Sequence, residues 1–106
     1  MSYRFMRMIA FFDLPVTTGP ERKAAAAFRK LLIKNGFIMM QESVYCKLLV
    51  NTSAAKTAAE VIRKNRPSKG IVQLMTITEK QFAEIEYISG EFHTEIIDSD
   101  EKMVII

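Results

Sequence analysis

The chain has 106 residues, a length that suits one hydrophobic core, and its 49% hydrophobic and 25% charged content are those of an ordinary globular domain. No apolar run approaches the roughly 20 residues that a bilayer-crossing helix needs. The single cysteine, Cys46, excludes an internal disulfide, no Cys/His cluster has zinc-ligand spacing, and the N-terminus lacks signal-peptide organisation, so a cytoplasmic location is the expectation.

The net charge of +3 hides an asymmetry. Residues 1–78 carry 13 Lys/Arg against 4 Asp/Glu, a balance of +9. Residues 79–106 carry 2 Lys against 8 Asp/Glu, a balance of −6. A basic body suits a polyanionic partner, and an acidic tail suits a basic protein surface.

The first element is the apolar run Met6-Arg7-Met8-Ile9-Ala10-Phe11-Phe12-Asp13-Leu14-Pro15. It reads as a central buried strand, closed by Pro15, which cannot donate to a ladder. Asp13 then sits where strand becomes loop, the edge at which α/β sheets tend to place their chemistry. Its plain structural alternative is a turn cap or a surface ion pair.

Thr18 and Glu21 have capping-box spacing, and Pro20 fits the first turn, so a helix is predicted from about Gly19 to Asn35. Its expected inner face is Ala24, Ala27, Phe28, Leu31 and Leu32, with Arg22, Lys23, Arg29 and Lys30 outside. Asn35-Gly36 stops it. Two strands follow, Phe37–Met40 and Ser43–Val50, joined at Gln41-Glu42. Val44, Cys46, Leu48 and Val50 share one face of the second, with Cys46 expected in the core; Tyr45 and Lys47 share the other. A second helix opens at Asn51-Thr52-Ser53, capped by Thr52 or Ser53, with Ala54, Ala55, Ala58, Ala59 and Ile62 inside. It ends in the basic loop Asn65–Gly70. A fourth strand, Ile71–Thr78, leads into a single-turn helix announced by Thr78 and Gln81. Ile85–Ile88 alternates like a short fifth strand, and the chain then turns acidic before the apolar end Met103-Val104-Ile105-Ile106.

Strand, helix, strand, strand, helix, strand is the α+β, ferredoxin-like βαββαβ order. Right-handed crossovers put both helices on one sheet face and leave the other bare. That bare face is too apolar for water, so a homodimer packed sheet against sheet is expected, with residues 85–88 extending the partner's sheet. Residues 1–90 form this domain, and 91–106 form an acidic tail ending in an apolar strand.

The Phe11-Phe12-Asp13-Leu14-Pro15 end of strand one, a helix carrying Glu21-Arg22-Lys23, and Gln41-Glu42-Ser43-Val44-Tyr45 together resemble the CRISPR-associated protein 2 family over about residues 5–90. The acidic insert and apolar end resemble its type II-A form. The resemblance implies a homodimer with Mg²⁺- or Mn²⁺-dependent endonuclease activity on RNA or double-stranded DNA. It also implies the central place in the integrase that captures new spacers, gripped by a larger integrase subunit. Residue by residue, Asp13 matches the catalytic, metal-binding aspartate. Phe12, Gln41, Ser43 and Tyr45 match the supporting positions.

The chain offers one carboxylate where a metal-assisted phosphodiesterase needs it, so a two-fold axis must supply a second Asp13. Arg22, Lys23, Arg29, Lys30, Lys47, Arg63, Lys64, Arg66 and Lys69 are the candidate contacts to a nucleic-acid backbone. A second reading is a DNA-binding adaptor in which no cleavage is required. A third, an RNA-binding sheet of the same topology, lacks the exposed aromatic and glycine segment such sheets use. Met103, Val104, Ile105 and Ile106 are expected to add a strand to the larger subunit. His93 is read as exposed and without a catalytic role.

Overall fold

The computed structural model describes residues 5–90. The elements are β1 (Met6–Asp13), α1 (Gly19–Lys34), β2 (Ile38–Gln41), β3 (Val44–Leu49), α2 (Thr52–Lys64), β4 (Ile71–Thr78) and α3 (Glu79–Ala83). The four strands form one sheet in the order β2-β3-β1-β4. Every neighbouring pair is antiparallel. This is the ferredoxin-like order anticipated from the sequence.

β1 is central because both its edges are paired, Phe11 with Val44 on one side and with Gln73 on the other. Its alternation divides the sheet. Met8, Ala10 and Phe12 point into the core with Phe28 and Leu32 of α1, Tyr45 and Leu49 of β3, and Ala58 and Ile62 of α2. Phe12 meets Phe28 edge-to-face at 5.2 Å and Tyr45 at 5.5 Å. Such aromatic pairs contribute about 0.5–1.5 kcal/mol each beyond burial alone.

α1 begins in the expected capping box. The Thr18 hydroxyl accepts from Glu21 N, and the Glu21 carboxylate accepts from Thr18 N. It ends in a Schellman turn: Phe37 N donates to Leu32 O, Gly36 N donates to Ile33 O, and Gly36 takes the left-handed φ of +91°. Lys47 Nζ donates to the Asn35 carbonyl at 2.7 Å, closing that end further.

Five details differ from expectation. In α1 the buried alanine is Ala25, and Ala24 and Ala27 are exposed. Ala25, Phe28 and Leu32 follow the i, i+3, i+7 stripe set by the two large side chains, while a run of four alanines carries no phase of its own. Asn51 caps α2, its side chain accepting from Ala54 N at 2.7 Å, because the helix already starts at Thr52, earlier than a Thr52 or Ser53 cap would require. The hairpin turn is Glu42-Ser43, with Gln41 inside β2; an irregularity between Met39 and Gln41 shifts the register by one residue. Residues 85–88 form no strand, since the segment leaves α3 without a ladder partner among the described residues.

The fifth concerns the face away from α1 and α2, which is not wholly bare. The short α3 folds back beside it and is tied to Arg7 of β1. Cys46 therefore lies on that face beneath Arg7, buried but outside the core under the helices. Burial pushes its thiol above the ordinary value, against the opposing pull of Arg7, which keeps it inert.

Gly70, with φ +93°, precedes β4 and passes so close to β1 that a Cβ there would stand 2.6 Å from the Asp13 carbonyl oxygen and 2.9 Å from the Leu14 side chain. Gly70→Ala is expected to destabilise the domain by about 2 kcal/mol or more, from left-handed strain plus the clash with backbone. The check is the urea midpoint of the variant against that of the unaltered protein.

Candidate nucleic-acid interface and strand-end carboxylate

Antiparallel pairing decides what meets Asp13. β1 ends at Asp13, which lies opposite Ile71, the first residue of β4. Phe12 N donates to Ser43 O at 3.0 Å, so the Glu42-Ser43 turn stands beside the same end. α1 starts there, and α2 ends there before the 65–70 loop enters β4. Asp13 is exposed, on the sheet face opposite α1 and α2.

The same topology gathers most of the candidate cations. Arg22 and Lys23 open α1, Arg63 and Lys64 close α2, and Arg66 and Lys69 follow in the loop. Lys69 Nζ reaches Glu21 Oε2 at 3.4 Å and pins this loop to the start of α1. Arg22 Nη1 donates to the Val16 and Thr17 carbonyls at 3.2 and 3.0 Å, bracing the turn after Asp13. Arg63 pairs with Glu60 at 3.0 Å, and Arg66 Nη1 donates to the Arg63 carbonyl at 3.2 Å. These are surface contacts, weak enough to be exchanged for other partners.

Three of the predicted cations do not join that cluster. Arg29 is half-buried and Lys30 exposed along the middle of α1. Lys47 is turned inward to Asn35 at the far end of that helix, with its partner register at Met8 rather than near Asp13. Among the supporting residues, Gln41 and Ser43 are exposed, while Phe12 and Tyr45 are buried. The Tyr45 hydroxyl is pushed above its ordinary pKa, mainly by burial. Phe12 and Tyr45 thus hold the end of β1 in place from beneath. Residues 103–106, with Met103, Val104, Ile105 and Ile106, and His93 lie outside the described residues.

Among the described residues no three His, Cys, Asp or Glu side chains come together to hold a metal ion. Asp13 offers a hard carboxylate in an exposed position at this strand end. A Mg²⁺ ion takes as few as one or two protein carboxylates, with water and phosphate oxygens filling the rest. Asp13 therefore fits as one ligand of such an ion.

Sequence reading missed two contributors. Gly70 sets how closely the 65–70 loop approaches Asp13, and its signal was the Lys-Gly pair just before a strand. Arg7 is a charge inside an apolar strand, which by itself demands a partner. That partner is Glu79, 72 residues away: Arg7 Nε and Nη2 donate to its two carboxylate oxygens at 2.9 and 3.0 Å. The guanidinium also lies 4.2 Å from the centre of the Phe82 ring. Burial alone would lower the Arg7 pKa, but the Glu79 carboxylate outweighs it and holds the charge in place.

The result is a small ferredoxin-like domain with an exposed strand-end carboxylate and basic residues collected at the same end. This chain belongs to the CRISPR associated protein Cas2 family, whose pattern matches residues 6–85. It is 48% identical over 101 residues to a protein of Treponema denticola, covering 95% of this chain and all of that one. It is 50% identical over 101 residues to a protein of Streptococcus mutans serotype c, covering 95% of this chain and 93% of that one. A protein of Ligilactobacillus salivarius is 43% identical over 101 residues, covering 95% of this chain and 100% of its own length. Each of these relatives is named CRISPR-associated endoribonuclease Cas2. No described helix is long and apolar enough to cross a membrane.

Glu21 joins α1, the turn after Asp13 and the basic loop, accepting from Thr17 N, Thr18 N and Lys69. The backbone N–H of Thr18 is the main cause that holds its carboxyl below the ordinary glutamate value, with Lys69 and Thr17 N adding to the effect. A lowered folded-state value means that its stabilisation is complete above the unfolded-state pKa. It is lost as the pH falls through the lowered one. Glu21→Gln is expected to be less stable than the unaltered chain at neutral pH, with the gap closing in acid. Urea midpoints at both ends of that range check it.

Proposed function

We propose that the chain is a CRISPR adaptation protein: the dimeric core of a spacer-integration complex that binds duplex DNA, with metal-dependent endonuclease activity centred on paired Asp13 residues. The observation that carries this reading is the meeting of an exposed strand-end aspartate with Arg22, Lys23, Arg63, Lys64, Arg66 and Lys69 at one end of the sheet. The endoribonuclease name of its relatives supports the hydrolytic part. The close streptococcal relative accords with the type II-A form.

Two copies meet through the sheet face that carries Asp13. Ile38, Ile71 and Met75 lie exposed on that face and lose water on contact. Each 100 Å² of apolar surface removed from water contributes about 2.5 kcal/mol. Asp13 of each copy then provides one carboxylate to a shared Mg²⁺ or Mn²⁺ position. Such an ion neutralises charge on a scissile phosphate and makes bound water more acidic. Lys64, Arg66 and Lys69 hold the sugar–phosphate backbone without reading bases, and Phe12 and Tyr45 keep Asp13 from retreating into the sheet. RNA and double-stranded DNA both present the required phosphodiester. Met103, Val104, Ile105 and Ile106 add a strand to the larger integrase subunit, with the acidic stretch before them meeting basic residues there.

A purely structural DNA-binding adaptor is the second reading. The six clustered cations favour it, since each chain carries all of them, whereas no group of three metal-holding side chains is found among the described residues.

Asp13→Ala separates the two. Cleavage of RNA and duplex DNA in Mg²⁺ should fall to background while duplex binding stays within about twofold, as expected for a residue outside the phosphate contacts. Spacer acquisition that survives the change assigns the adaptor role, and its loss assigns catalysis. Lys64→Ala should weaken duplex binding uniformly across sequences and lower the slope of log affinity against log salt by about 0.9, measured by fluorescence anisotropy.

A further inference from the structure

We propose that Arg7, Glu79 and Phe82 form a latch that sets where two copies of this chain touch, holding α3 as a stop at one end of the sheet face so that contact falls at the Asp13 end. The inference rests on the two-copy reading above and adds to it the residues that fix its geometry.

β4 ends at Thr78, opposite Met6, so α3 emerges at the end of the sheet farthest from Asp13. Its first residue is fastened twice, to β1 and to the residue just before that strand. Glu79 N donates to the Phe5 carbonyl at 3.3 Å, and the Glu79 carboxylate takes two parallel bonds from Arg7. Arg7 lies on the face opposite the two long helices, as its register with Leu48 and Ile77 requires. The guanidinium spans three elements. It bonds α3 through Glu79, stacks beside Phe82, and directs Nη1 at Cys46 Sγ of β3 at 3.6 Å.

A bidentate Arg–carboxylate pair fixes direction as well as distance, which a single lysine contact would not. The Arg7 side chain is 19% exposed, so the pair is screened on one side by the sheet. α3 is too short to hold its own position. With the latch closed, it occupies the face beside Arg7. At the Asp13 end nothing comparable stands over the sheet among the described residues: Gln73 and Ile71 are exposed there, and Phe11 and Val44 are only half-buried. A second copy related by a two-fold axis meets α3 as an obstacle at one end and bare apolar sheet at the other. The axis therefore passes nearer Asp13, which is what brings two Asp13 carboxylates to one ion. Arg7, Glu79 and Phe82 are thus positioning residues for the paired site.

The test traps the contact. Gln73→Cys is placed in the full-length chain, where it faces the bare end in register with Phe11. Buried Cys46 stays silent, as the protein without the added cysteine verifies. With the latch intact, mild oxidation should give a covalent dimer. Adding Glu79→Gln, or Phe82→Ala, should cut trapping by about tenfold while sedimentation still shows two chains. The exchanged pair Arg7→Glu with Glu79→Arg should restore trapping, which a general loss of stability would not allow. Undiminished trapping in both latch variants overturns the latch while leaving the two-copy reading standing. A latch-intact dimer that fails to trap at residue 73 also overturns it. Sedimentation of the latch-intact protein as a single chain overturns the two-copy reading itself, and the latch with it.

Discussion

Backbone hydrogen bonds along both edges of β1 govern everything else in this fold. A strand bonded on two sides cannot slide, since a shift of one residue would turn Met8, Ala10 and Phe12 out of the core and Arg7 into it. The register with β4 places Gly70 and Ile71 against Asp13. The register with β3 places the Glu42-Ser43 turn beside the same residue. The chemistry at that end is assembled from four parts of the chain because one strand is held fixed between two others.

Charge is distributed with the same economy. The only arginine inside β1 is matched by a carboxylate across the sheet face, while Lys47 satisfies a helix-end carbonyl on the opposite face. Both are cations put to structural use. The cations left on the surface at the Asp13 end are those whose partners are weak or exposed, Glu60 for Arg63 and backbone carbonyls for Arg22 and Arg66. A phosphate backbone competes well for such groups, because an exposed contact costs little to exchange.

Much of this could be read before any coordinates. Pro15 marked the end of β1, Thr18 with Glu21 and Thr78 with Gln81 marked two helix starts, and Asn35-Gly36 marked a stop, because each is a local steric or hydrogen-bonding rule. The order of elements then dictated the sheet. What escaped was non-local or lacked a phase. Four successive alanines give no preferred face, so Phe28 and Leu32 alone chose Ala25. The alternation of Ile85 to Ile88 is real, but alternation makes a strand only where a neighbour offers a ladder. The Arg7–Glu79 pair joins positions no window of sequence would connect. The candidate site was legible as single residues, Asp13 and the basic list, and not as an arrangement: only the topology separates Lys47 from Lys64, Arg66 and Lys69.

The two outer strands of the sheet are unlike each other. β2 has four residues and a register irregularity beside Met40, whereas β4 has eight regular residues and not one charge or proline. The first is a poor template and is protected from adventitious pairing by its own kink. The second presents an uninterrupted row of amide donors and acceptors along its outer side among the described residues. Among the described residues, an added strand would find its regular ladder along β4, so the two borders of this sheet are not equivalent templates.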